Sequence, residues 1–202
     1  MRSENRDAPR VDAAHVILVG LPGVGKTTIG RAVAKRLERS FVDLDDEIVK
    51  QFGKSVANIF AEDGEQAFRA AEARVSAKLA EGYRMGDRGM IVAPGGGWVA
   101  NSSAVAPLRG IARIIYLRVS PAEAVRRMGR AVRRRPLFVG GDPIEIMMQL
   151  YESRRKHYEA VADIVIETDG VSREALVGRV VEVLGSDRSK ERFQDERDER
   201  II

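Results

Sequence analysis

Short apolar runs alternate with segments of helical periodicity along most of this 202-residue chain. The apolar runs predict strands at Val16–Val19, Phe41–Asp45, Met90–Ala93, Ile111–Leu117 and Ile164–Glu167. Helical patterns and cap residues predict helices at Thr28–Glu38, Asp46–Gln51, Ser55–Glu62, Gly64–Glu81, Ser102–Leu108, Ser120–Arg127, Pro143–Val161 and Ser172–Leu184. This alternation is typical of an α/β fold, in which helices cover both faces of a parallel sheet.

In a parallel sheet, ligands bind beyond the carboxyl ends of the strands. The segments that follow the predicted strands are a glycine-rich turn at 20–27, the acidic pair Asp43 and Asp45, the run Gly95–Gly97, and a basic loop after the helix at Ser120–Arg127. We therefore expect these segments to share one rim of the sheet.

The glycine-rich turn, GLPGVGKT at 20–27, matches the phosphate-binding pattern G-x-x-x-x-G-K-[ST] between a strand and a helix. Glycines let backbone amides turn toward an anion, and the N-terminus of the next helix adds a positive potential. Lys26 supplies a cation for the β- and γ-phosphates, and Thr27 supplies a hydroxyl for Mg²⁺. The flanking strand and helix argue against a chance match. The turn predicts a nucleoside triphosphate with Mg²⁺ and leaves the phosphoryl acceptor open.

Composition adds bounds on the class of protein. A hydrophobic share of 44% and a charged share of 32% suit an ordinary soluble domain. The absence of cysteine excludes thiol catalysis and fits a cytoplasmic location. No apolar run is long enough to span a membrane. We expect a flexible leader at 1–14, a single domain at 15–185, and a charged tail at 186–202 that is disordered or a frayed helix.

The net charge of +4 comes with arginines gathered at 126, 127, 130, 133, 134 and 135. A loop of this size, about 129–141, can act as a lid that closes over phosphates. A solvated basic loop and a nucleic-acid patch are the alternatives. The segment lacks interleaved aromatic residues and a recognised nucleic-acid motif, so we favour the lid.

Asp43 and Asp45 lie two residues apart at the end of a predicted strand, so alternation would point both carboxylates the same way. One carboxylate would lie near Mg²⁺, and the other would act as a base for an acceptor hydroxyl. A polar strand end that caps the next helix is the alternative.

Three glycines at 95–97 raise the backbone entropy that is lost on folding, and a ligand in contact with the backbone would explain their presence. A flexible turn is the alternative.

The guanidinium of Arg154 could bind a carboxylate through two parallel hydrogen bonds. Arg69, considered by itself, would be interpreted as a solvated surface residue. Trp98 is expected in the pocket wall or the core. His15 and His157 lack partners at metal-ligand spacing, so no zinc site is expected.

Taken together, these segments resemble the shikimate kinase family. The resemblance rests on Gly20–Gly30, the Asp-Leu-Asp at 43–45, Ile59-Phe60, Gly64–Arg69, Gly95–Gly97, Arg135-Pro136-Leu137, and Arg154 with Tyr158. It runs in order from about residue 15 to 184. Its phosphate loop is shared by many nucleotide-binding proteins, whereas the other motifs in combination are more specific.

The resemblance implies a five-stranded parallel sheet like that of nucleoside monophosphate kinases, and transfer of the ATP γ-phosphate to the 3-hydroxyl of shikimate. It implies a catalytic group of Asp45, Lys26 and Arg135. The implied ATP-binding residues are Gly23, Val24, Gly25, Lys26, Thr27, Thr28, Arg127 beside adenine, and Arg135 on the lid. The implied shikimate-binding residues are Asp45, Arg69, Gly95, Gly96, Gly97 and Arg154.

For the metal, the resemblance implies Mg²⁺ on Thr27, with Asp43 near it through water. We expect a monomer whose partner is the small-molecule substrate, with neither nucleic acid nor membrane as a partner.

The sequence departs from the family pattern at a few positions. Ala93-Pro94 stands where the family often has a hydroxyl residue, and Trp98 stands where a small residue is usual. Lys156-His157 also departs from the usual residues before the tyrosine.

Two other functions stay open. One is a kinase for another carboxylate-bearing acceptor. The other is a ligand-sensing module without turnover, and the short leader and the intact motifs disfavour this second alternative.

Overall fold

The computed structural model describes residues 15–86, 88–134 and 136–198, with the side chains of all of these except 133, 134, 136 and 186–198. The predicted leader at 1–14, Arg135 of the predicted lid and residues 199–202 lie outside the described residues. None of the helices within the described part of the chain is long and apolar enough to cross a membrane.

A single sheet of five parallel strands organises the described chain. The strands are β1 (His15–Val19), β2 (Phe41–Asp43), β3 (Ile91–Ala93), β4 (Ala112–Arg118) and β5 (Ile164–Glu167), in the spatial order β2-β3-β1-β4-β5. β1 lies in the middle and every residue of it is buried, which explains why it appears in the sequence as a continuous apolar run. The predicted fold class is confirmed.

Eight α-helices accompany these strands in the described residues: α1 (Lys26–Arg36), α2 (Leu44–Phe52), α3 (Val56–Glu62), α4 (Gly64–Arg84), α5 (Ser102–Val105), α6 (Pro121–Met128), α7 (Pro143–Val161) and α8 (Arg173–Asp198). Short 3-10 turns follow Gly97, α5 and α6. Ser120 caps α6 and Asp142 caps α7 through their side chains, and each helix then begins with a proline. These local signals are why the bounds of α6 and α7 were predictable.

The second strand is shorter than its sequence predicts. β2 ends at Asp43, and Leu44 already begins α2. The Asp43 carboxylate caps this helix by accepting a hydrogen bond from the backbone N–H of Asp45 at 3.2 Å. Leu44 and Ile48 are both buried one helical turn apart, which favours the helix over a longer strand. The predicted strand alternation of Asp43 and Asp45 is therefore wrong, although both residues still reach the same rim.

Two further segments, the predicted lid and the predicted tail, contain helical turns. The predicted lid contains 3-10 turns at Gly129–Arg134 and Pro136–Phe138, and its Val132 and Phe138 are buried against the core. Helix α8 continues to Asp198, through residues that were predicted to be a disordered or frayed tail. The lysine, arginine and glutamate residues in this stretch have good helix propensity.

Trp98 belongs to the core, where 1% of it is exposed. Its indole Nε1–H donates to the hydroxyl of Ser76 on α4 at 3.1 Å, and Ser76 is itself fully buried. His15 is also buried: its ring bonds to the carbonyl of Leu79 and accepts from the N–H of Met90. Trp98 therefore links the segment after β3 to α4. His15 links β1 to α4 and to the residue that precedes β3.

Trp98→Phe is expected to lower the free energy of unfolding by about 1–3 kcal/mol. The substitution removes the indole N–H that donates to the buried Ser76 hydroxyl, and it leaves that oxygen without this partner. Urea denaturation of the purified protein measures this loss. In a Ser76→Ala background the cost of Trp98→Phe should shrink, since the polar partner is already gone. An equal cost in both backgrounds would show that the hydrogen bond contributes nothing.

Candidate active site

A cavity of about 1270 Å³ opens at the carboxyl edge of the sheet. The segments that were expected to share a rim do line one cavity. Its lining residues include Gly23–Ile29, Asp43, Asp45, Ala93–Gly96, Arg127, Met128, Ala131, Leu137, Val171, Arg173 and Leu176.

The phosphate loop needs its glycines for two different reasons. Gly25 caps α1 with a φ of 100°, a left-handed conformation that side chains rarely adopt. Gly23 also has a positive φ, and a Cβ there would lie 2.6 Å from the carbonyl oxygen of Ala124. The loop therefore passes close to α6 and turns directly into α1. Lys26 Nζ donates to the carbonyls of Gly20 at 2.9 Å and Leu21 at 3.2 Å, so the ammonium group lies over the loop.

Thr27 and Asp43 form the candidate metal site. The Thr27 hydroxyl donates to Asp43 Oδ2 at 2.8 Å, which places a hydroxyl and a carboxylate side by side next to the phosphate loop. Among the described residues there is no group of three or more His, Cys, Asp or Glu that would hold a metal by itself. Two oxygen ligands beside a phosphate site suit Mg²⁺, which keeps waters and substrate oxygens in its coordination shell.

Asp45 lies in the first turn of α2 and faces the cavity. Burial, reinforced by the nearby charges of Asp43 and Glu72, raises the pKa of Asp45 to about 6, although Lys26 opposes the shift. Its Oδ1 is buried and accepts no hydrogen bond from any described residue. Asp45 thus presents an acceptor that a substrate hydroxyl can satisfy, with a pKa suited to proton transfer near neutral pH.

Arg69 is held by two carboxylates of its own helix, α4. Its Nη1 donates to Glu72 Oε2 at 2.8 Å, and its Nε and Nη2 both donate to Glu65 Oε1 at 3.1 and 2.9 Å. Glu72 is fully buried, and its Oε2 also accepts from the side chain of Asn101 at 3.1 Å. The guanidinium is therefore fixed in orientation rather than solvated at random.

Tyr158 and Arg154 reach the glycine turn from α7. Burial raises the pKa of Tyr158 to about 12, so its hydroxyl stays protonated and donates to the carbonyl of Gly96 at 2.6 Å. The ring of Tyr158 stacks on Tyr116 of β4 with centroids 4.9 Å apart. Arg154 lies beside this hydroxyl, one helical turn before Tyr158. Arg154 thus places a second cation next to the turn, beside Gly96.

Arg127 lines the part of the cavity beyond the phosphate loop. Its Nε donates to Glu123 at 2.8 Å, and its Nη1 donates to the carbonyl of Val24 at 3.3 Å. Its Nη2 donates to the carbonyl of Thr168, beyond the end of β5. The guanidinium therefore connects α6, the phosphate loop and the turn before α8, and it forms one wall of the site.

Most of the residues implied by the resemblance meet here. The cavity is lined by Gly23, Val24, Gly25, Lys26, Thr27, Thr28, Asp43, Asp45, Gly95, Gly96 and Arg127. Arg69, Gly97 and Arg154 lie beside the wall that the glycine turn forms. Arg135 lies outside the described residues.

Sequence reasoning missed Glu72 and Arg173. Glu72 had a visible signal, because it is an acidic residue among the buried positions Phe68, Ala71 and Val75 of one helix face, three residues after Arg69. Arg173 begins α8 and lines the cavity. No local pattern separates it from other surface arginines, since the sheet order alone brings it to the site.

Three features define a phosphotransferase of the P-loop kinase class: the five-stranded parallel sheet, the phosphate loop after its central strand, and the Asp45 carboxylate in the same cavity as Lys26. The family model described as "Shikimate kinase" matches residues 22–185. The chain belongs to the shikimate kinase family.

Curated relatives support this membership over most of their length. A shikimate kinase of Saccharopolyspora erythraea is 41% identical over 174 residues, which is 86% of this chain and 95% of that protein. One of Rhodococcus jostii is 38% identical and covers 84% of this chain and 96% of its own.

Solved structures agree with the sheet and helices described above. Shikimate kinase from Acinetobacter baumannii in complex with shikimate has a TM-score of 0.78 at 29% identity, over 86% of this chain and 94% of that one. A gluconokinase from Sinorhizobium meliloti has a TM-score of 0.61 at 16% identity, over 92% of this chain and 99% of that one, and this likeness concerns the fold alone.

Asp45→Asn is expected to stabilise the protein at neutral pH. A carboxyl whose pKa is raised from 3.8 to about 6 by folding contributes stability that is complete below pH 3.8 and lost as the pH rises through 6. The unfolding free energy of the Asn variant, relative to wild type, should therefore increase by about 2–3 kcal/mol between pH 4 and pH 7.5.

Urea denaturation at both pH values measures this difference. Asp46→Asn is the matched control, because Asp46 lies on the same helix turn but is exposed. A pH-independent difference for Asp45→Asn would contradict the raised pKa.

Proposed function

We propose that this protein is a shikimate kinase, which transfers the γ-phosphate of ATP to the 3-hydroxyl of shikimate and releases ADP and shikimate 3-phosphate. The observation that carries the proposal is that one cavity is lined by Lys26, the phosphate loop and Asp45. Family membership and the Acinetobacter baumannii relative solved with shikimate support the choice of acceptor.

The acceptor side is suited to a small hydroxylated carboxylic acid. Arg69 and Arg154 flank the glycine turn with two cations, and paired guanidinium groups bind a carboxylate through forked hydrogen bonds. Asp45 has a buried oxygen that can accept from a hydroxyl. A hydroxy acid bound between these groups would have its anionic end on the arginines and a hydroxyl on Asp45.

Asp45 acts as the base in this proposal. With a pKa of about 6 it is largely ionised at pH 7.5, and it accepts the proton of the 3-hydroxyl as the bond from that oxygen to the γ-phosphorus forms. The bond between the γ-phosphorus and the bridging oxygen breaks, and ADP leaves. Asp45 holds the hydroxyl in line, which contributes more to phosphoryl transfer than strong basicity does.

On the donor side, backbone amides from Gly23 to Thr28 cradle the phosphates, and the Lys26 ammonium moves from the loop carbonyls onto the transferring group. Arg135 of the lid would add a second cation there. Thr27, with Asp43 through water, would hold Mg²⁺, which neutralises charge on the β- and γ-phosphates when it is bound. Arg127 would lie against the adenine base.

We further propose that the protein acts as a monomer in the cytoplasm, where ATP is available.

An assay that couples ADP release to a chromogenic reaction tests the proposed function. ADP release should depend on ATP, Mg²⁺ and shikimate together, and other hydroxy acids at equal concentration should give far less. Strong turnover with another acid and none with shikimate would contradict the assignment and favour a kinase for a different carboxylate-bearing acceptor. Tight shikimate binding without turnover would favour a ligand-sensing module.

Asp45→Asn should lower kcat by about 100-fold or more, because the amide cannot accept the hydroxyl proton. The same coupled assay measures it, and the Asp46→Asn protein is the control with an unchanged carboxylate in the cavity. Full turnover by the Asn variant would remove Asp45 from the mechanism.

Thr27→Val keeps the shape of the side chain and removes its hydroxyl. We expect the Mg²⁺ concentration for half-maximal activity to rise at least about tenfold, while KM for shikimate stays unchanged. A titration of Mg²⁺ at fixed ATP measures this. An unaltered Mg²⁺ dependence would show that Thr27 is not a metal ligand.

A further inference from the structure

The glycines of the turn after β3 are not required by backbone conformation. None of Gly95, Gly96 and Gly97 is among the glycines with a positive φ, and Gly97 has a φ of −91°. Any residue adopts such a backbone, so conformational freedom does not explain three glycines in a row. The explanation has to come from space around the turn.

Side chains of the acceptor site occupy that space. A Cβ at Gly95 would lie 2.9 Å from Asp45 Oδ1, and a Cβ at Gly97 would lie 2.9 and 3.0 Å from Arg69 Nη2 and Nη1. These distances are shorter than the contacts that Cβ atoms make, so an added methyl group would have to displace the side chain or the turn.

The middle glycine is less crowded. A Cβ at Gly96 would lie 3.1 Å from Pro22 Cδ, 3.3 Å from Arg154 Nη1 and 3.4 Å from the Tyr158 hydroxyl. Gly95 and Gly97 therefore leave room for two groups that the proposed function uses, whereas the nearest neighbour of a Cβ at Gly96 would be Pro22.

The turn itself cannot easily retreat. The N–H of Trp98 donates to the carbonyl of Gly95 at 3.1 Å, and the buried Trp98 indole is bonded to Ser76 of α4. The Tyr158 hydroxyl holds the carbonyl of Gly96 from α7. The tips of Asp45, Arg69 and Arg154 belong to side chains that rotate more readily than this anchored backbone moves.

We propose that Gly95 and Gly97 are positioning residues that set the place of Asp45 and Arg69 respectively, each through the absence of a side chain. This inference rests on the proposed function for its kinetic consequences, because those two side chains are among the ones that would bind and deprotonate the acceptor. The positioning itself is a property of the free protein, so it has a test that needs no turnover.

The structural test is a crystal structure of the Gly97→Ala protein without ligands. The Arg69 guanidinium should move away from the turn and lose its 2.8 Å hydrogen bond to Glu72 Oε2. A guanidinium that keeps this bond beside Ala at position 97 would overturn the inference, whatever the protein phosphorylates.

The kinetic test compares the same variant in two backgrounds. Gly97→Ala should raise KM for shikimate about tenfold with a much smaller change in kcat, the size expected for a lost charge-assisted hydrogen bond. Arg69→Lys keeps a positive charge near Glu72 and withdraws the guanidinium fork. In the Arg69→Lys protein the further effect of Gly97→Ala should be less than twofold. A full tenfold effect in both backgrounds would mean that Gly97 acts through its own backbone.

Gly95→Ala should have a different signature, because it displaces Asp45. We expect kcat to fall and the acidic limb of the pH–rate profile to shift, whereas Gly97→Ala leaves that limb in place. Gly178→Ala is the matched control: Gly178 lies in α8 and a Cβ there meets nothing within 4 Å, so its kinetics should equal those of wild type. Identical kinetic changes for Gly95→Ala and Gly97→Ala would contradict separate positioning. Failure of wild type to phosphorylate shikimate would refute the proposed function and leave the crystallographic result standing.

Discussion

β1 lies between β3 and β4 in a sheet whose five strands run in one direction, and the site depends on this placement. The phosphate loop leaves the middle of the sheet, the glycine turn leaves the strand on one side, and α6 with the predicted lid follows the strand on the other. Because all strands are parallel, these loops emerge at the same edge. The candidate donor and acceptor sites are thereby built a few residues from the strand ends.

Charge is distributed unevenly within this cleft. Burial raises the pKa of Asp45, and the nearby carboxylates of Asp43 and Glu72 raise it further. The charge of Lys26 offsets part of this repulsion. Placing these carboxylates together lowers the stability of the folded protein. It also gives Asp45 a pKa of about 6, close to the pH at which it would act as a base. Arg69 in turn owes its orientation to Glu72, which is buried and bonded to Asn101.

The glycine turn connects the two halves of the acceptor site. It is held to α4 through Trp98 and Ser76 and to α7 through Tyr158. The departure of Trp98 from the small residue usual in the family is therefore accommodated in the core rather than in the cavity: the indole is buried and hydrogen-bonded, and it leaves the cavity wall to Gly95 and Gly96. The other departure, Ala93-Pro94, does line the cavity.

Local patterns in the sequence determined the phosphate loop, the alternation of strands and helices, and the exact bounds of α7 and β5, because capping residues and apolar periodicity act over a few residues. The same locality explains the error at Asp45: a strand pattern and a helix cap compete over Phe41–Asp45, and burial of Leu44 and Ile48 decides for the helix. Only the tertiary structure brought Arg173 to the cavity and paired Arg69 with a buried Glu72. It also placed the Asp45 and Arg69 side chains against Gly95 and Gly97, where a Cβ would not fit. Each of these depends on which elements lie side by side, and the free energy of packing decides that across the whole domain.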